Sequence, residues 1–357
     1  MEKMMMSRFK PHILMLLVQT GYTFLYFITE ASFHHGLNTY VYITYRHFVA
    51  TLVFLPFAYF LERKKRPKMT WLLFLEISVL AVLGVSLTLN LYFLSMNYTS
   101  PTFLASMVNT IASLTFVISV VLGLEKVDVW SLRGKAKIVG TLVSLGGVMT
   151  MTLFKGPKIQ NISSALVQIH GNPHIHENWI KGSILTVASC LTLSVWYVMQ
   201  AYTLRRYPAQ LSLLTWMNFL GTLQSAVFAV IMEHKPIMWK IGFDVDFWCI
   251  MYSGVVASGL MIFVQMIVTE MKGPVFVTMF NPVTTIMVAL LAYFVVGEKL
   301  YTGSIIGAVV VIVGLYLLLW GKDKDLEYAF KCHQDSNSVV DGESKNKSVV
   351  NDQRQQV

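Results

Sequence analysis

The stretch from Pro274 to Lys322 limits what this chain can fold into more than any other. It contains two apolar runs of about twenty residues each, joined by the polar segment Gly297-Glu298-Lys299. A helix rises about 1.5 Å per residue, so each run can cross a hydrocarbon core roughly 30 Å thick. Of the 357 residues, 55% are hydrophobic and only 13% are charged, whereas soluble domains have about 25% charged residues. The chain is therefore predicted to be a membrane protein.

Similar apolar runs recur along the chain and predict an all-α polytopic membrane protein with ten transmembrane helices. The predicted spans lie near residues 12–31, 40–60, 71–95, 101–122, 137–154, 180–200, 210–232, 247–269, 274–296 and 301–320. The first run is too long for a cleaved signal sequence, and we expect it to be retained as a span. The polar segment 321–357 is predicted to be a disordered cytosolic tail, because it cannot bury enough apolar surface to offset its ordering entropy.

The second half of the chain repeats the first. Pro101/Pro274 and Glu125/Glu298 are 173 positions apart, Glu62/Glu233 are 171 apart, and Gly140/Gly307 and Gly147/Gly314 are 167 apart. We therefore predict a first repeat over residues 12–154 and a second over residues 180–320. Because five helices per repeat give the two repeats opposite orientations, the plan matches inverted-repeat transporters, whose substrate site lies between the repeats. The cavity is expected between spans 1–4 and 6–9.

Basic residues predict the orientation of the spans. With residues 1–11 as a cytosolic N-terminus, the cytosolic loops hold seventeen Lys and Arg and the other side holds six, in agreement with the positive-inside rule. Both termini are then cytosolic, and residues 155–179 form a non-cytosolic loop. The net charge of +9 comes from short clusters beside apolar runs, so it does not predict nucleic-acid binding.

A stripe of polar and aromatic side chains runs along the first span and recurs in the sixth. The first stripe has steps of three, four and four residues, which place its members on one helical face. It consists of Gln19, Tyr22, Tyr26 and Glu30, and its counterpart 170 positions later of Ser189, Thr192, Trp196 and Gln200. Such side chains either hydrogen-bond neighbouring helices or line a cavity. The repetition favours a cavity.

Further polar residues lie inside the predicted spans. Arg46 stands about six residues into span 2. Because burying Arg in a membrane is costly, it either extends to the interface, binds a substrate carboxylate or pairs with Glu30. Asn281-Pro282 interrupts span 9, since proline removes a backbone donor, and this kink serves either packing or a cavity. The candidate substrate-binding residues are Gln19, Tyr22, Tyr26, Glu30, Arg46, Asn90, Asn109, Thr192, Trp196, Gln200, Gln265 and Asn281.

The sequence contains no Walker loop, no Gly-x-Ser-x-Gly and no His-Glu-x-x-His. Neither an enzyme nor a cofactor is therefore predicted. The scattered thiols of Cys190, Cys249 and Cys332 indicate neither a disulfide framework nor a metal site. His170, His174 and His176 cluster between the halves, but no Cys lies within ten residues of them, and a metal site is not predicted there. Asn161 opens an acceptor sequon, which leaves glycosylation open.

Several motifs resemble those of the plant nodulin-like branch of the drug/metabolite transporter superfamily. They are Tyr45-Arg46, Pro56-Phe57-Ala58, Glu62-Arg63-Lys64, Tyr98 to Phe103, Phe280-Asn281-Pro282, Glu298-Lys299-Leu300, Gly314-Leu315-Tyr316 and Leu319 to Lys322. The resemblance covers about residues 10–322 and implies an EamA-type fold of two inverted five-helix repeats. It also implies a facilitator of amino acids or related organic solutes such as auxin, a class called UMAMIT or walls-are-thin-related. Glu30 stands where many relatives are expected to have Lys, and Ala112 where they are expected to have proline, so the substrate charge preference can differ.

The expected function is that of a secondary transporter or facilitator that works by alternating access. The alternative is a non-transporting membrane scaffold or receptor with the same fold. A small organic solute and the lipid bilayer are the expected partners, with protons and a second copy of the chain as further candidates. The plasma membrane is the expected location, and the tonoplast and the endoplasmic reticulum are the alternatives.

Overall fold

The structure is a computed structural model that describes residues 2–96, 98–99, 104, 107–125, 127–154, 157, 179–291, 302–303 and 305–325. Within these residues, helical segments lie at all ten predicted span positions, and the same residues contain no strand. The prediction of an all-α polytopic fold is thus confirmed. The segment Gly297-Glu298-Lys299, the 155–179 loop apart from residues 157 and 179, and the tail beyond Asp325 lie outside the described residues.

The described helices fall into two halves. The first half contains α1 (Glu2–His35), α2 (Thr39–Leu61), α3 (Trp71–Ala81), α4 (Thr88–Met96), α5 (Thr110–Val121) and α6 (Leu132–Leu153). The second half contains α7 (Trp179–Arg206), α8 (Gln210–Met232), α9 (Val245–Tyr252), α10 (Ile262–Lys272), α11 (Pro274–Thr278) and α12 (Asn281–Leu291), followed by α13 (Ile305–Asp325). A short 3-10 helix, Pro236–Trp239, lies between α8 and α9.

Most spans are long and apolar enough to cross a membrane. In the described residues they are Phe9–Phe33, Thr39–Leu61, Trp71–Ser95, Ile180–Arg206, Gln210–Met232, Val245–Lys272 and Ile305–Asp325, with Thr110–Val121 and Pro274–Val288 as shorter apolar helices. Large apolar side chains such as Phe60 and Trp71 project outward and are at least 75% exposed. A lipid environment accounts for this outward apolar surface, since water would disfavour it.

The two repeats are joined by α2 and α8, the second helix of each. The carboxylate of Glu62, which follows α2, accepts hydrogen bonds of 3.0 and 2.7 Å from two backbone N–H groups in the first turn of α8, those of Leu211 and Ser212. At the other membrane face, Glu233, which follows α8, accepts a 2.8 Å bond from the side chain of Asn38, the N-cap of α2. Each glutamate therefore binds the start of the equivalent helix, where the helix dipole favours a negative charge.

Helices α6 and α13, the last of each repeat, meet along a seam of small residues. A Cβ added at Gly140 would lie 2.5 Å from the backbone oxygen of Gly314, and one added at Gly147 would lie 2.9 Å from that of Gly307. Since Gly140 is equivalent to Gly307 and Gly147 to Gly314, each contact is the symmetry counterpart of the other. Glycine at these positions lets the two backbones approach closely.

Two π-helical segments occupy equivalent positions in the repeats. Val82–Leu87 joins α3 to α4, and Ser253–Met261 joins α9 to α10, so that each forms the middle of one long span. Their first residues are 171 positions apart, the same offset as Glu62 and Glu233. Segments of this kind are rare and occur frequently at functional sites.

The ninth span is broken, as the Asn281-Pro282 pair predicts. Helix α11 ends at Thr278, and α12 begins at Asn281. Between them, Phe280 N–H donates to the oxygen of Val277 (3.3 Å) and Val283 N–H donates to that of Phe280 (3.0 Å). Pro282 contributes no N–H, so the regular helical ladder cannot continue through this point.

Candidate functional site

A cavity of about 270 Å³ lies between the two repeats, deep inside the helix bundle. Its wall comes from spans 1–4 and 6–9, in agreement with the prediction. The lining residues are Gln19, Tyr22, Tyr26, Arg46, His47, Gly84, Val85, Thr88, Leu89, Tyr92, Val108, Ile111, Leu193, Trp196, Tyr197, Leu214, Met217, Asn218, Ile262, Gln265, Asn281, Thr284, Thr285 and Val288. We call this space the central cavity.

A second cavity of about 250 Å³ adjoins the central cavity and shares Tyr22, Tyr26, Arg46, Leu89 and Tyr92 with it. It continues along α1 past Glu30 to Phe33, close to the end of that helix. In the other direction along α1, Met15 and Val18 are fully buried in an apolar core. The described space therefore extends from the middle of the bundle towards the membrane face at which α1 ends.

The structure places eight of the twelve predicted residues on these walls. Gln19, Tyr22, Tyr26, Arg46, Trp196, Gln265 and Asn281 line the central cavity, and Glu30 lines the adjoining cavity. Their role in binding stays a prediction.

The other four predicted residues lie outside the wall. Thr192 Oγ1 is 2.9 Å from the hydroxyl of the lining residue Thr88, and Asn109 Oδ1 accepts a 3.1 Å bond from the lining residue Thr285. These two side chains therefore support the wall from behind. Asn90 donates to the backbone oxygen of Ser86, and Gln200 is fully buried with its amide unpartnered in the described part of the chain.

Among the described residues that line the central cavity, Arg46 is the one with a permanent charge. It is 7% exposed, and its Nε donates to the hydroxyl of Ser258 in the second π segment. Its position inside the bundle does not fit extension to the membrane surface. A guanidinium in such a wall can bind a carboxylate through two parallel hydrogen bonds.

Two further cavity-lining side chains keep an unpaired donor. Gln19 accepts a 2.5 Å bond from Thr284 Oγ1 at its Oε1, and its Nε2 has no partner among the described residues. The indole Nε1 of Trp196 is likewise unpartnered there. It lies against Gly84, where an added Cβ would be 2.2 Å away. Unpaired buried donors favour a ligand that carries hydrogen-bond acceptors.

Several wall residues are missing from the sequence-based set, above all His47, Tyr92, Tyr197 and Thr284. His47 Nδ1 lies 2.7 Å from Oδ1 of Asn218, a residue 171 positions further on. This separation equals the repeat offset of Glu62 and Glu233, so the repeat itself was a signal for the pair.

Equivalent polar clusters connect the repeats at opposite membrane faces. Glu76, near the start of span 3, accepts bonds from Thr203 (2.7 Å) and Arg206 (2.8 Å) at the end of α7. Asp246, 170 positions later, accepts bonds from Ser32 and His35 at the end of α1. We call them the Glu76 cluster and the Asp246 cluster.

A metal ion has one candidate location in the part of the chain that the structure describes. There, His35, Asp244 and Asp246 offer ligand atoms within 4.8 Å of one another. Asp244 already caps α9, and Asp246 already binds Ser32 and His35. We therefore assign no metal to it.

The fold defines a polytopic helical membrane protein with a cavity between its two repeats. The model of the EamA-like transporter family matches residues 9–153 and 180–320. WAT1-related protein At4g08300 of Arabidopsis thaliana is 41% identical over 326 residues, which cover 90% of this chain and 87% of the relative. WAT1-related protein At2g37460 of the same plant is 40% identical over 337 residues, which cover 94% and 88%.

A solved crystal structure of a protein with 13% sequence identity superposes with a TM-score of 0.62, covering 87% of this chain and 98% of that chain. At this identity the likeness concerns the fold alone. The family match and the relatives show that the chain belongs to the EamA-like transporter family, alongside its WAT1-related plant members. It is a multi-pass membrane protein of a family of transporters.

Proposed function

We propose that the protein carries small organic carboxylates, foremost amino acids or related acids such as auxin, across the plasma membrane by alternating access. The observation that carries this proposal is Arg46, a buried cation in the wall of a cavity between inverted repeats. Such repeats typically bind their substrate midway through the membrane. The WAT1-related relatives support a membrane transport role, and the resemblance of the motifs favours this class of solute.

The size and chemistry of the central cavity support the same class of solute. A volume of about 270 Å³ lies just below the roughly 300–1,000 Å³ of pockets for drug-sized ligands, so it suits a molecule as small as an amino acid. Arg46 would bind the carboxylate, and the unpaired N–H groups of Gln19 and Trp196 can donate to further acceptors. The tyrosine and tryptophan rings would cover the apolar part of the solute.

Flux into proteoliposomes tests this proposal. Proteoliposomes that contain the purified protein should take up a labelled amino acid or indole-3-acetate faster than protein-free liposomes do. Arg46→Gln should lower that uptake at least about ten-fold, since hydrogen bonds to a charged group contribute about 1.5–3 kcal/mol. Arg63→Gln is the matched control, because Arg63 is an exposed arginine in the loop after α2.

Two outcomes would contradict the proposal. Wild-type protein that moves none of these acids would favour a non-transporting scaffold or receptor. Equal uptake by Arg46→Gln and Arg63→Gln would remove Arg46 from the binding site.

A further inference from the structure

His47 is a cavity residue with a buried nitrogen that the protein leaves unpaired. The residue lies in α2, is only 2% exposed and lines the central cavity. Its Nδ1 lies 2.7 Å from Asn218 Oδ1, but its Nε2 has no hydrogen-bond partner among the described residues. Almost all buried polar atoms in proteins have a hydrogen-bond partner, so an unpaired nitrogen on a residue of a cavity wall is a candidate contact for a ligand.

Asn218 determines which imidazole nitrogen carries the proton. Its Nδ2 donates to the backbone oxygens of Leu214 (2.9 Å) and Ser258 (3.3 Å). These two carbonyls fix the orientation of the amide, so Asn218 Oδ1 can only accept and His47 Nδ1 must donate. In a neutral imidazole the other nitrogen, Nε2, is then a hydrogen-bond acceptor.

His47 and its partner Asn218 occupy equivalent positions in the two inverted repeats. His47 and Asn218 are 171 positions apart and stand at equivalent places on α2 and α8, the helices that join the inverted repeats. Inverted repeats are related by a pseudo-two-fold axis in the membrane plane, and a bond between equivalent residues lies on this axis. Because alternating access exchanges the roles of the two repeats, a group on this axis can contact the solute in both states.

The unpaired atoms of the cavity wall differ in chemical type. Three lining side chains have an unpartnered buried atom in the described part of the chain: Gln19 at Nε2, Trp196 at Nε1 and His47 at Nε2. The first two are donors, as is the guanidinium of Arg46. Among these unpaired atoms, His47 Nε2 is therefore the one that can receive an N–H group.

We propose that His47 Nε2 accepts a hydrogen bond from an N–H group of the transported solute while Arg46 binds its carboxylate. This inference rests on the proposed function and narrows the substrate class to carboxylates that also carry an N–H donor, such as α-amino acids or indole carboxylates. A carboxylate without that donor leaves Nε2 unpaired and binds more weakly.

The test compares matched solutes with full-length protein in liposomes. Leucine is paired with 4-methylpentanoate, which lacks the amino group, and indole-3-acetate with naphthalene-1-acetate, which lacks the N–H. Loss of one hydrogen bond to a buried group corresponds to roughly ten-fold in affinity. In at least one pair, wild-type protein should therefore move the N–H compound about ten-fold faster than its partner.

Three variants separate hydrogen bonding from packing. His47→Asn can still donate to Asn218 but has no atom at the position of Nε2, so the ratio of the two rates should fall about ten-fold. His47→Gln places an amide oxygen near that position and should keep most of the ratio. Asn218→Leu, which leaves His47 in place and removes the acceptor that fixes its proton, should give an intermediate ratio.

Several results would overturn the inference. They are a wild-type ratio near one in both pairs, an equal fall of both rates in folded His47→Asn, and an unchanged ratio in both His47→Asn and Asn218→Leu. Size-exclusion profiles and thermal unfolding establish which variants are folded. If wild-type protein moves none of the four compounds, both the proposed function and this inference are contradicted. If it moves them at equal rates, only this inference is contradicted.

Discussion

A methyl group added at Gly84 tests how closely Trp196 packs in the wall of the central cavity. A Cβ there would lie 2.2 Å from Nε1 and 2.5 Å from Cδ1 of Trp196. Contact distances are normally about 3.5 Å, so the indole would have to move by about 1.3 Å. Overpacking of this kind costs about 1–3 kcal/mol, partly offset by the gain of about 0.5–1 kcal/mol for Ala over Gly in a helix. We expect Gly84→Ala to lower the free energy of unfolding by about 0.5–2 kcal/mol.

A double-mutant cycle measures this contact directly. In a Trp196→Leu background no indole has to move, so Gly84→Ala should be neutral or stabilising by up to about 1 kcal/mol. The assay is reversible chemical unfolding of the purified protein in detergent. Gly146→Ala is the matched control, because an added Cβ at this helical glycine in α6 meets nothing within 4 Å. An equal effect of Gly84→Ala in both backgrounds would refute the packing of Trp196 over Gly84.

Three further predictions concern the seam, the polar clusters and coupling. Gly140→Ala should destabilise the protein by about 1–3 kcal/mol in the same unfolding assay, because its Cβ would lie 2.5 Å from a backbone oxygen of α13; a neutral change would contradict the close seam. Asp246→Asn and Glu76→Gln weaken equivalent clusters at opposite membrane faces. The readout is the rate at which an impermeant maleimide labels a cysteine placed at position 284, and the two variants should change this rate in opposite directions. Changes in the same direction would contradict alternating closure. If Glu30 carries a coupling proton, Glu30→Gln should abolish proton-driven uptake and spare gradient-free exchange. Loss of both activities would indicate that Glu30 is part of a gate. No change in either activity would indicate an uncoupled facilitator.

The part of the cavity that could be predicted from sequence lies on regular helices. Gln19, Tyr22 and Tyr26 share a face of α1 because the helical period is a local property, and all three line the central cavity. The repeat extends the same reasoning to Trp196 on α7. The distribution of apolar runs likewise predicts the ten span positions, since membrane thickness alone sets their length.

The rest of the wall depends on departures from the regular helix and on contacts between helices. Asn90 is outside the wall, whereas Leu89 and Tyr92 line it. The π segment Val82–Leu87 precedes them, and its wider turns rotate the following residues relative to a regular helix. His47 forms a bond with Asn218 on α8, a pairing that the pattern of either helix alone does not show and that only the offset between the repeats indicates.

The most direct test of the account is an experimental structure of the protein with the solute that it transports fastest. We predict that the solute occupies the central cavity between α1 and α7, with its carboxylate within hydrogen-bond distance of the Arg46 guanidinium. A solute bound elsewhere, or bound in the central cavity with its carboxylate turned away from Arg46, would contradict the account.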